Sequence, residues 1–258
     1  MSDARASDIH DAAARGFQEA AEAYERARPD YPAEALDRMV QDLEIGRAAT
    51  VLDLGAGTGK LTRMLAPTGA RLVALEPVEA MRRTFVDAVP GVAVLGGTAE
   101  ALPFADATFD AVVAAQSFHW FRGEAALAEA HRVLRPSGRL GLIWNIRDRS
   151  VPWVERLTEI IDRYESGAPR ERTGEWRRAF SATTYFGALV QRRFQHRQRL
   201  DRDGLIDRVA SMSFIASLPP DRHARVLEEV RRLADEQADE RGEIVLPYWT
   251  DLYWCVRT

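Results

Sequence analysis

Three glycines alternate with small residues in the stretch TVLDLGAGTGKLTRMLA, which runs from Thr50 to Ala66. An apolar run leads into them and a helical pattern leads out. Two carboxylates flank the turn: Asp53 just before it, and Glu76, 23 residues after Asp53, at the end of the next apolar run, VALEP. Glycines between a strand and a helix let backbone come close to a ligand. The start of the following helix, near Thr58, turns its positive end toward the same place. A carboxylate closing the second strand can accept hydrogen bonds from both hydroxyls of a ribose, or else serve only as a helix-entry cap. Together these residue types suit a nucleotide, a dinucleotide or another ribose-bearing ligand.

The spacing excludes one nucleotide and disfavours another. A phosphate-binding P-loop needs a glycine five residues before its Gly-Lys pair and a hydroxyl after it. Here Leu54 and Leu61 occupy those places. The dinucleotide fingerprint fits Gly55 and Gly57 but puts Lys60 where its third small residue belongs, and the third glycine is Gly59 instead.

A second group of reactive residues follows the run FDAVVAA. Gln116 stands at its carboxyl edge, where open α/β sheets bind ligands, and Ser117–Phe121 (SFHWF) sets an aromatic cluster beside it. His119 is the histidine placed at a strand's carboxyl end. It could take a proton from an acceptor hydroxyl, orient a carboxylate, or bond a neighbouring backbone carbonyl. Trp120 is expected to wall the pocket. Trp144 and Asn145 end the next apolar run and should face the same space.

The elements that must hold these residues are legible from periodicity. Apolar runs begin at Thr50, Arg71, Gly91, Phe109 and Gly138, mostly continuous as in parallel strands covered on both faces. Helical patterns cover Lys60–Ala66, Val78–Val89 and Gly123–Leu134, and Arg135-Pro136-Ser137-Gly138 reads as a turn. Repeated strand–helix–strand units imply a doubly wound parallel sheet in the α/β class. Beyond Asn145 the pattern changes: helices are expected over Trp153–Tyr164, Asp203–Ala210 and Pro219–Ala238, and strands over Leu189–Leu200 and the C-terminal EIVLPYWTDLYWCVR. An alanine-rich helix is expected over Asp11–Arg28, followed by the turn RPDYP.

The 258 residues are 46% apolar, enough for one large core, and 35 basic residues nearly balance 39 acidic ones for a net charge of −4. Without an overall basic field, nucleic acid is a disfavoured partner, and the patch Gln191–Arg199 reads as a solvated face. Cys255 is the only cysteine, so internal disulfides and cysteine zinc clusters are out, and it is expected to be inert packing. No run reaches the ~18 apolar residues of a membrane span, so a cytoplasmic protein without a membrane partner is expected. No metal-ligand spacing is present. These features fix no oligomeric state.

Four motifs in order, DLGAGTG, the acidic end of the second strand, GTAEALPF before FDAVV, and HRVLRPSGRLGLIW, resemble class I S-adenosylmethionine-dependent methyltransferases. The similarity is to their type 11 small-molecule branch, which includes carboxyl methyltransferases of the trans-aconitate type. It is clear over Tyr24–Asn145 and looser beyond. It implies a Rossmann-like, doubly wound, mostly parallel seven-stranded sheet with helices on both faces and an antiparallel C-terminal strand. One domain would span 1–258: a helical lid over 1–48, a cofactor-binding core over 49–145, and acceptor-side helices and strands over 146–258.

The resemblance also assigns roles. Gly55, Ala56 and Gly57 would form the floor under S-adenosylmethionine, and Asp53 would orient the loop or receive the methionine ammonium. Glu76 would hold the ribose, and Pro77 or Val78 would pack on the adenine. The family usually has an acidic residue where this chain has Thr98, so the adenine amine loses its ordinary partner; Thr98, the Ala99 amide and Glu100 are the candidates to replace it. In the lid, Arg28 between Tyr24 and Tyr31 could pair with the methionine carboxylate or lie on a plain amphipathic helix. Gln116 would join the cofactor contacts, and Tyr31, Ser117, His119, Trp120, Trp144 and Asn145 would line the acceptor side.

The reaction implied is direct in-line displacement onto a small-molecule acceptor, with S-adenosylhomocysteine as product. An oxygen, carboxylate or hydroxyl, is the expected nucleophile. A carboxylate needs no base, whereas a hydroxyl would call on His119. One of Arg147, Arg149, Arg170 or Arg172 could hold an acidic acceptor. Competing readings are a methyltransferase acting on tRNA or protein, an NAD(P)-dependent oxidoreductase, and a non-enzymatic cofactor-binding module. With Lys60 as the only lysine, a tyrosine–lysine catalytic pair of the oxidoreductase kind is absent.

Overall fold

The computed structural model of the chain describes residues 27–164 and 171–258. Tyr24, Arg170 and nearly all of the expected Asp11–Arg28 helix lie outside the described residues. The chain divides into two compact units. One comprises Asp30–Ile146, Pro169–Phe194 and Thr250–Thr258; the other comprises Met1–Pro29, Arg147–Ala168 and Gln195–Trp249. Among the described residues no helix is long and apolar enough to cross a membrane.

The first unit opens with helix α1 (Ala33–Asp42), which buries Ala35 and Met39. Strand β1 (Thr50–Leu54) follows, buried along nearly its whole length, as expected of Val and Leu on a strand covered on both sides. Helix α2 (Lys60–Leu65) starts from Gly59, whose φ of 88° is left-handed. A Cβ at Gly59 would lie 2.5 Å from Val89 and 2.7 Å from Phe85 of the neighbouring helical layer, so this glycine serves packing. Strand β2 (Arg71–Leu75), helix α3 (Glu79–Ala88), strand β3 (Ala93–Leu95), strand β4 (Phe109–Ala115) and helix α4 (Gly123–Val133) complete the expected alternation.

Seven strands form one sheet in the order β3-β2-β1-β4-β5-β7-β6, with β5 at Leu134–Arg147, β6 at Val190–Leu200 and β7 at Ile244–Val256. Pairs β1–β2, β1–β4, β2–β3 and β4–β5 are parallel, and the C-terminal strands run antiparallel. The expected turn at Arg135–Gly138 lies inside β5 as an irregularity. Leu134 stands opposite Phe109 and Arg139 opposite Ala111, so the intervening residues bulge out, with Ser137 at φ 63°. The register recovers at once, which is why strand and turn patterns coexist there.

Leu52, Leu54, Val112, Leu142 and Trp144 from the strands pack with Leu127, Val133, Trp176 and Tyr253 in one core. Val51, Val113 and Ile143 face a second core with Tyr31, Met39 and Leu61. Helix α6 (Arg177–Ala182), which carries no strong periodic signal, supplies Ala179 to the first. Cys255 is buried there as well, and burial pushes its thiol up to about 12.

In the other unit, helices α5 (Pro152–Asp162), α7 (Arg202–Ala210), α8 (Ser213–Ala216) and α9 (Pro220–Gln237) share a separate apolar core with Ile244, Leu246 and Tyr248. Asp201 caps α7 by accepting the Gly204 N–H at 2.7 Å. The Gln191–Arg199 patch lies on β6, whose alternating exposure is that of a strand with one solvated face.

Candidate active site

Each glycine of the turn has a different reason to be glycine. Gly55 (φ 63°) leaves room for the following strand end: a Cβ there would meet Ser117 Cβ at 2.8 Å and Phe121 Cζ at 3.2 Å. Gly57 (φ 58°) faces open space, with nothing within 4 Å of its would-be Cβ. Gly59 packs inward, as described above. The N–H groups of Gly55 and Ala56 both donate to the Leu75 carbonyl, at 2.8 and 3.1 Å, which ties the turn to the end of β2. These two amides therefore hold the loop's shape, and the side of the turn left open is the one at Gly57.

Glu76 is buried at the end of β2. Its Oε2 accepts the Gly57 N–H and its Oε1 the Val78 N–H, each at 2.9 Å. Burial raises its pKa, opposed by those two hydrogen bonds and by the charge of Arg82. An ionised carboxylate has about four lone-pair directions. One per oxygen is used, and one per oxygen is left for a pair of hydroxyls.

Asp53 is 3% exposed and accepts a hydrogen bond from Thr62 Oγ1 at 2.6 Å through Oδ2. Its Oδ1 is buried with no partner. Desolvation pushes this carboxyl up to about 7, with the Thr62 bond opposing and the nearby Glu76 charge adding. A buried carboxylate oxygen without a donor is costly. A bound cation beside it would lift the penalty. An orphaned Asp53 Oδ1, two unused lone pairs on Glu76 and an open Gly57 fit an aminoacyl-ribosyl cofactor such as S-adenosylmethionine.

Around the expected adenine position, Pro77 and Thr98 are exposed and Val78 and Ala99 are buried. Thr98 forms an antiparallel bridge with Ala101. Glu100 accepts the Arg122 N–H at 2.8 Å through Oε1, so part of its carboxylate caps the start of α4.

At the end of β4, Gln116 takes a left-handed φ of 57°, and its side chain donates to the Asn145 carbonyl at 3.3 Å. Ser117 Oγ donates to the Leu54 carbonyl at 2.9 Å, which fastens the SFHWF segment to β1 beside Gly55. Phe118–Trp120 forms one 3₁₀ turn, leaving His119 and Trp120 half-buried. Trp144 Nε1 donates to His119 Nδ1 at 3.2 Å. Trp144 is 1% exposed and packed on Trp176 with ring centroids 4.7 Å apart, so it stands behind His119 in the core and does not line the surface. Asn145 is bonded at both ends of its amide: Nδ2 donates to the Asp30 carbonyl at 3.0 Å, and Oδ1 accepts from Thr250 Oγ1 at 2.6 Å. Tyr31 is buried in the second core. Arg28 belongs to the other compact unit.

Of the arginines considered for an acidic acceptor, Arg147 donates to Thr158 and Arg149 forms a twofold pair with Glu155. Arg172 lies in an exposed 3₁₀ turn (Glu171–Thr173). A group that residue patterns did not reveal lies behind Trp144. Arg193 holds the buried Asp251 through two bonds at 2.5 and 2.7 Å, Tyr253 OH donates to Asp251 at 3.2 Å, and Arg177 donates to Tyr253 while lying over the Trp176 ring. Only the aromatic richness of the last segment hinted at it.

The "Methyltransferase domain" family matches residues 52–142, which include Asp53, the glycine turn, Glu76 and the Gln116–Phe121 segment. An uncharacterised methyltransferase of Mycobacterium tuberculosis is 40% identical over 245 residues, covering 93% of this chain and 94% of its own. The chain belongs to the S-adenosylmethionine-dependent methyltransferases. A malonyl-[acyl-carrier protein] O-methyltransferase of Methylococcus capsulatus is 43% identical over a shorter stretch of 99 residues, 36% of each chain. Among solved structures, the YcgJ protein from Bacillus subtilis superposes with a TM-score of 0.58 at 22% identity, covering 88% of this methyltransferase and 99% of that chain, a likeness of fold.

Proposed function

We propose that this methyltransferase acts on an oxygen, carboxylate or hydroxyl, of a small-molecule acceptor held at the mouth formed by Gln116 and the Ser117–Phe121 segment. One observation carries the reading: Ser117 and Phe121 pack directly against Gly55, so the polar groups of Gln116 and His119 stand on the strand end that adjoins the glycine turn. When bound, S-adenosylmethionine supplies an electrophilic methyl group for in-line displacement. The chain's part is to bind, to orient and to exclude water.

Asp53 Oδ1 would receive the ammonium and Glu76 the ribose hydroxyls. Val78 and Pro77 would flank the adenine, and Thr98 with the Ala99 amide would read its edge. Trp120 and Phe121 would close the mouth with apolar surface. The shorter likeness to an O-methyltransferase supports oxygen as the nucleophile.

Incubation with methyl-labelled S-adenosylmethionine and a set of small di- and tricarboxylic acids, phenols and alcohols tests this. Labelled ester or ether formed with one equivalent of S-adenosylhomocysteine is the expected result. Transfer confined to amines or carbon acids would overturn the oxygen assignment.

A further inference from the structure

Two backbone N–H groups hold the Glu76 carboxylate, and one of them is itself held in place. The Val78 N–H, which donates to Glu76 Oε1 at 2.9 Å, belongs to the same planar peptide unit as the Pro77 carbonyl. Arg82 Nη1 donates to that carbonyl at 2.7 Å, and to the Glu76 carbonyl also at 2.7 Å. One edge of the Pro77–Val78 peptide is thus clamped by a guanidinium while the other edge meets the carboxylate. Pro77 offers no N–H of its own, so the two carbonyls are what a side chain can grip in this turn.

The surroundings are shaped for the clamp. Arg82 closes the first turn of α3, where its N–H donates to the Val78 carbonyl at 3.1 Å. A cation so near a helix N-terminus opposes the helix dipole, and the contact with the two carbonyls offsets that. Gly96, just past β3, leaves the guanidinium its seat, since a Cβ there would lie 3.3 Å from Arg82 Cζ. The Glu76 N–H donates to the Leu95 carbonyl at 3.0 Å, so arginine, turn and the ends of β2 and β3 form one assembly. Burial raises the pKa of Glu76, and after the Val78 and Gly57 bonds the Arg82 charge opposes it.

Resting on the reading of Glu76 as the ribose carboxylate, we propose that Arg82 is a positioning residue: by clamping the Pro77–Val78 peptide it aims Glu76, and so sets how strongly the site prefers a ribose to a deoxyribose. A hydroxyl gains from a carboxylate only when a lone pair lies along its O–H direction. With Arg82 removed, the Pro77–Val78 peptide can rotate and take Glu76 Oε1 with it.

Calorimetric titration with S-adenosylhomocysteine and with its 2′-deoxyribose analogue tests this, because the ratio of the two affinities reports the hydroxyl–carboxylate bond. Partial unfolding, an altered adenine contact or the ionisation of Asp53 moves both ligands together and leaves the ratio where it was. The wild type should prefer the ribose compound by about tenfold or more, the worth of one hydrogen bond to a charged group. Glu76→Ala should abolish the preference. Arg82→Ala should cut it to about threefold or less in a chain that stays folded, since alanine suits a half-buried helix position. A full preference in Arg82→Ala would overturn the proposal and leave Glu76 as the ribose partner. A wild type that binds both compounds alike, or a preference that survives Glu76→Ala, would overturn the ribose reading and the proposal with it.

Discussion

Around the glycine turn, the contacts of the two carboxylates join residues close in sequence: Gly57 to Glu76 across 19 positions, Thr62 to Asp53 across 9, and Val78 to Glu76 across 2. Around Trp144 they join residues far apart: His119 to Trp144 across 25, Arg193 to Asp251 across 58, Arg177 to Tyr253 across 76, and Asn145 to Thr250 across 105. The cofactor half is made by one strand–turn–helix unit and the end of the next strand. The proposed acceptor half draws on tertiary packing, with Trp176 and Tyr253 behind Trp144. The two should respond differently to substitution.

The largest contrast should come from Gly59. Gly59→Ala adds a left-handed alanine and a clash with Val89 and Phe85, and should lower stability by about 2–4 kcal/mol in chemical denaturation. Any fall in cofactor affinity should merely follow the fraction unfolded. A smaller global loss, about 2 kcal/mol, is expected for Arg193→Ala, which leaves Asp251 buried without its twofold partner. S-adenosylhomocysteine affinity measured on the folded fraction should stay within about threefold. A larger drop would join the two halves and break the comparison.

Gly57→Ala sharpens it from the other side. Backbone strain alone should cost about 1 kcal/mol of stability, because open space surrounds the new methyl group. Cofactor affinity should fall by more than that strain accounts for, since the methyl projects into the side of the turn that the ligand needs. Equal losses in the two measurements would mean that Gly57 does not face the cofactor.

A pH-dependent effect concerns Asp53, whose folded value of about 7 lies above the ordinary carboxylate value of about 3.9. The folded chain binds more protons than the unfolded one between those values, so this group's contribution is full below about pH 4 and is lost as pH rises through about 7. Asp53→Asn should therefore be more stable than wild type at about pH 8 and lose that advantage by about pH 4. The same ionisation prepares the site for a cationic ligand. Wild-type affinity for S-adenosylhomocysteine should rise from about pH 6 to pH 7.5, and the Asn variant's should stay flat. A flat wild-type profile would separate Asp53 from the ammonium.

The same contrast explains what could be read from sequence. The glycine turn, Asp53, Glu76 and the strand–helix alternation follow from local pattern, and helices α2, α3 and α4 begin and end within a residue of the periodic segments. The antiparallel β6 and β7 were legible as alternating runs. Helix α6 was not, because no strand and glycine turn frame its six residues as they do the equally short α2. Trp144 illustrates the harder failure. Its position at a strand end suggested a pocket wall, whereas Trp176 and Tyr253 bury it and turn it into the support for His119. Asn145, expected to face the pocket, also ties β5 to Asp30 and Thr250. Partners 25 to 105 positions away leave no trace in a local pattern.

The most direct test of the central claim, that the glycine turn and Glu76 form a nucleoside-sulfonium site, is calorimetric titration of wild type and Glu76→Ala with S-adenosylmethionine, S-adenosylhomocysteine and NADH. Micromolar binding of both sulfur nucleosides, weakened about tenfold or more by loss of the ribose carboxylate, with no heat from NADH, is the result expected. Binding of NADH in their place, or sulfur-nucleoside affinity indifferent to Glu76, would contradict the account.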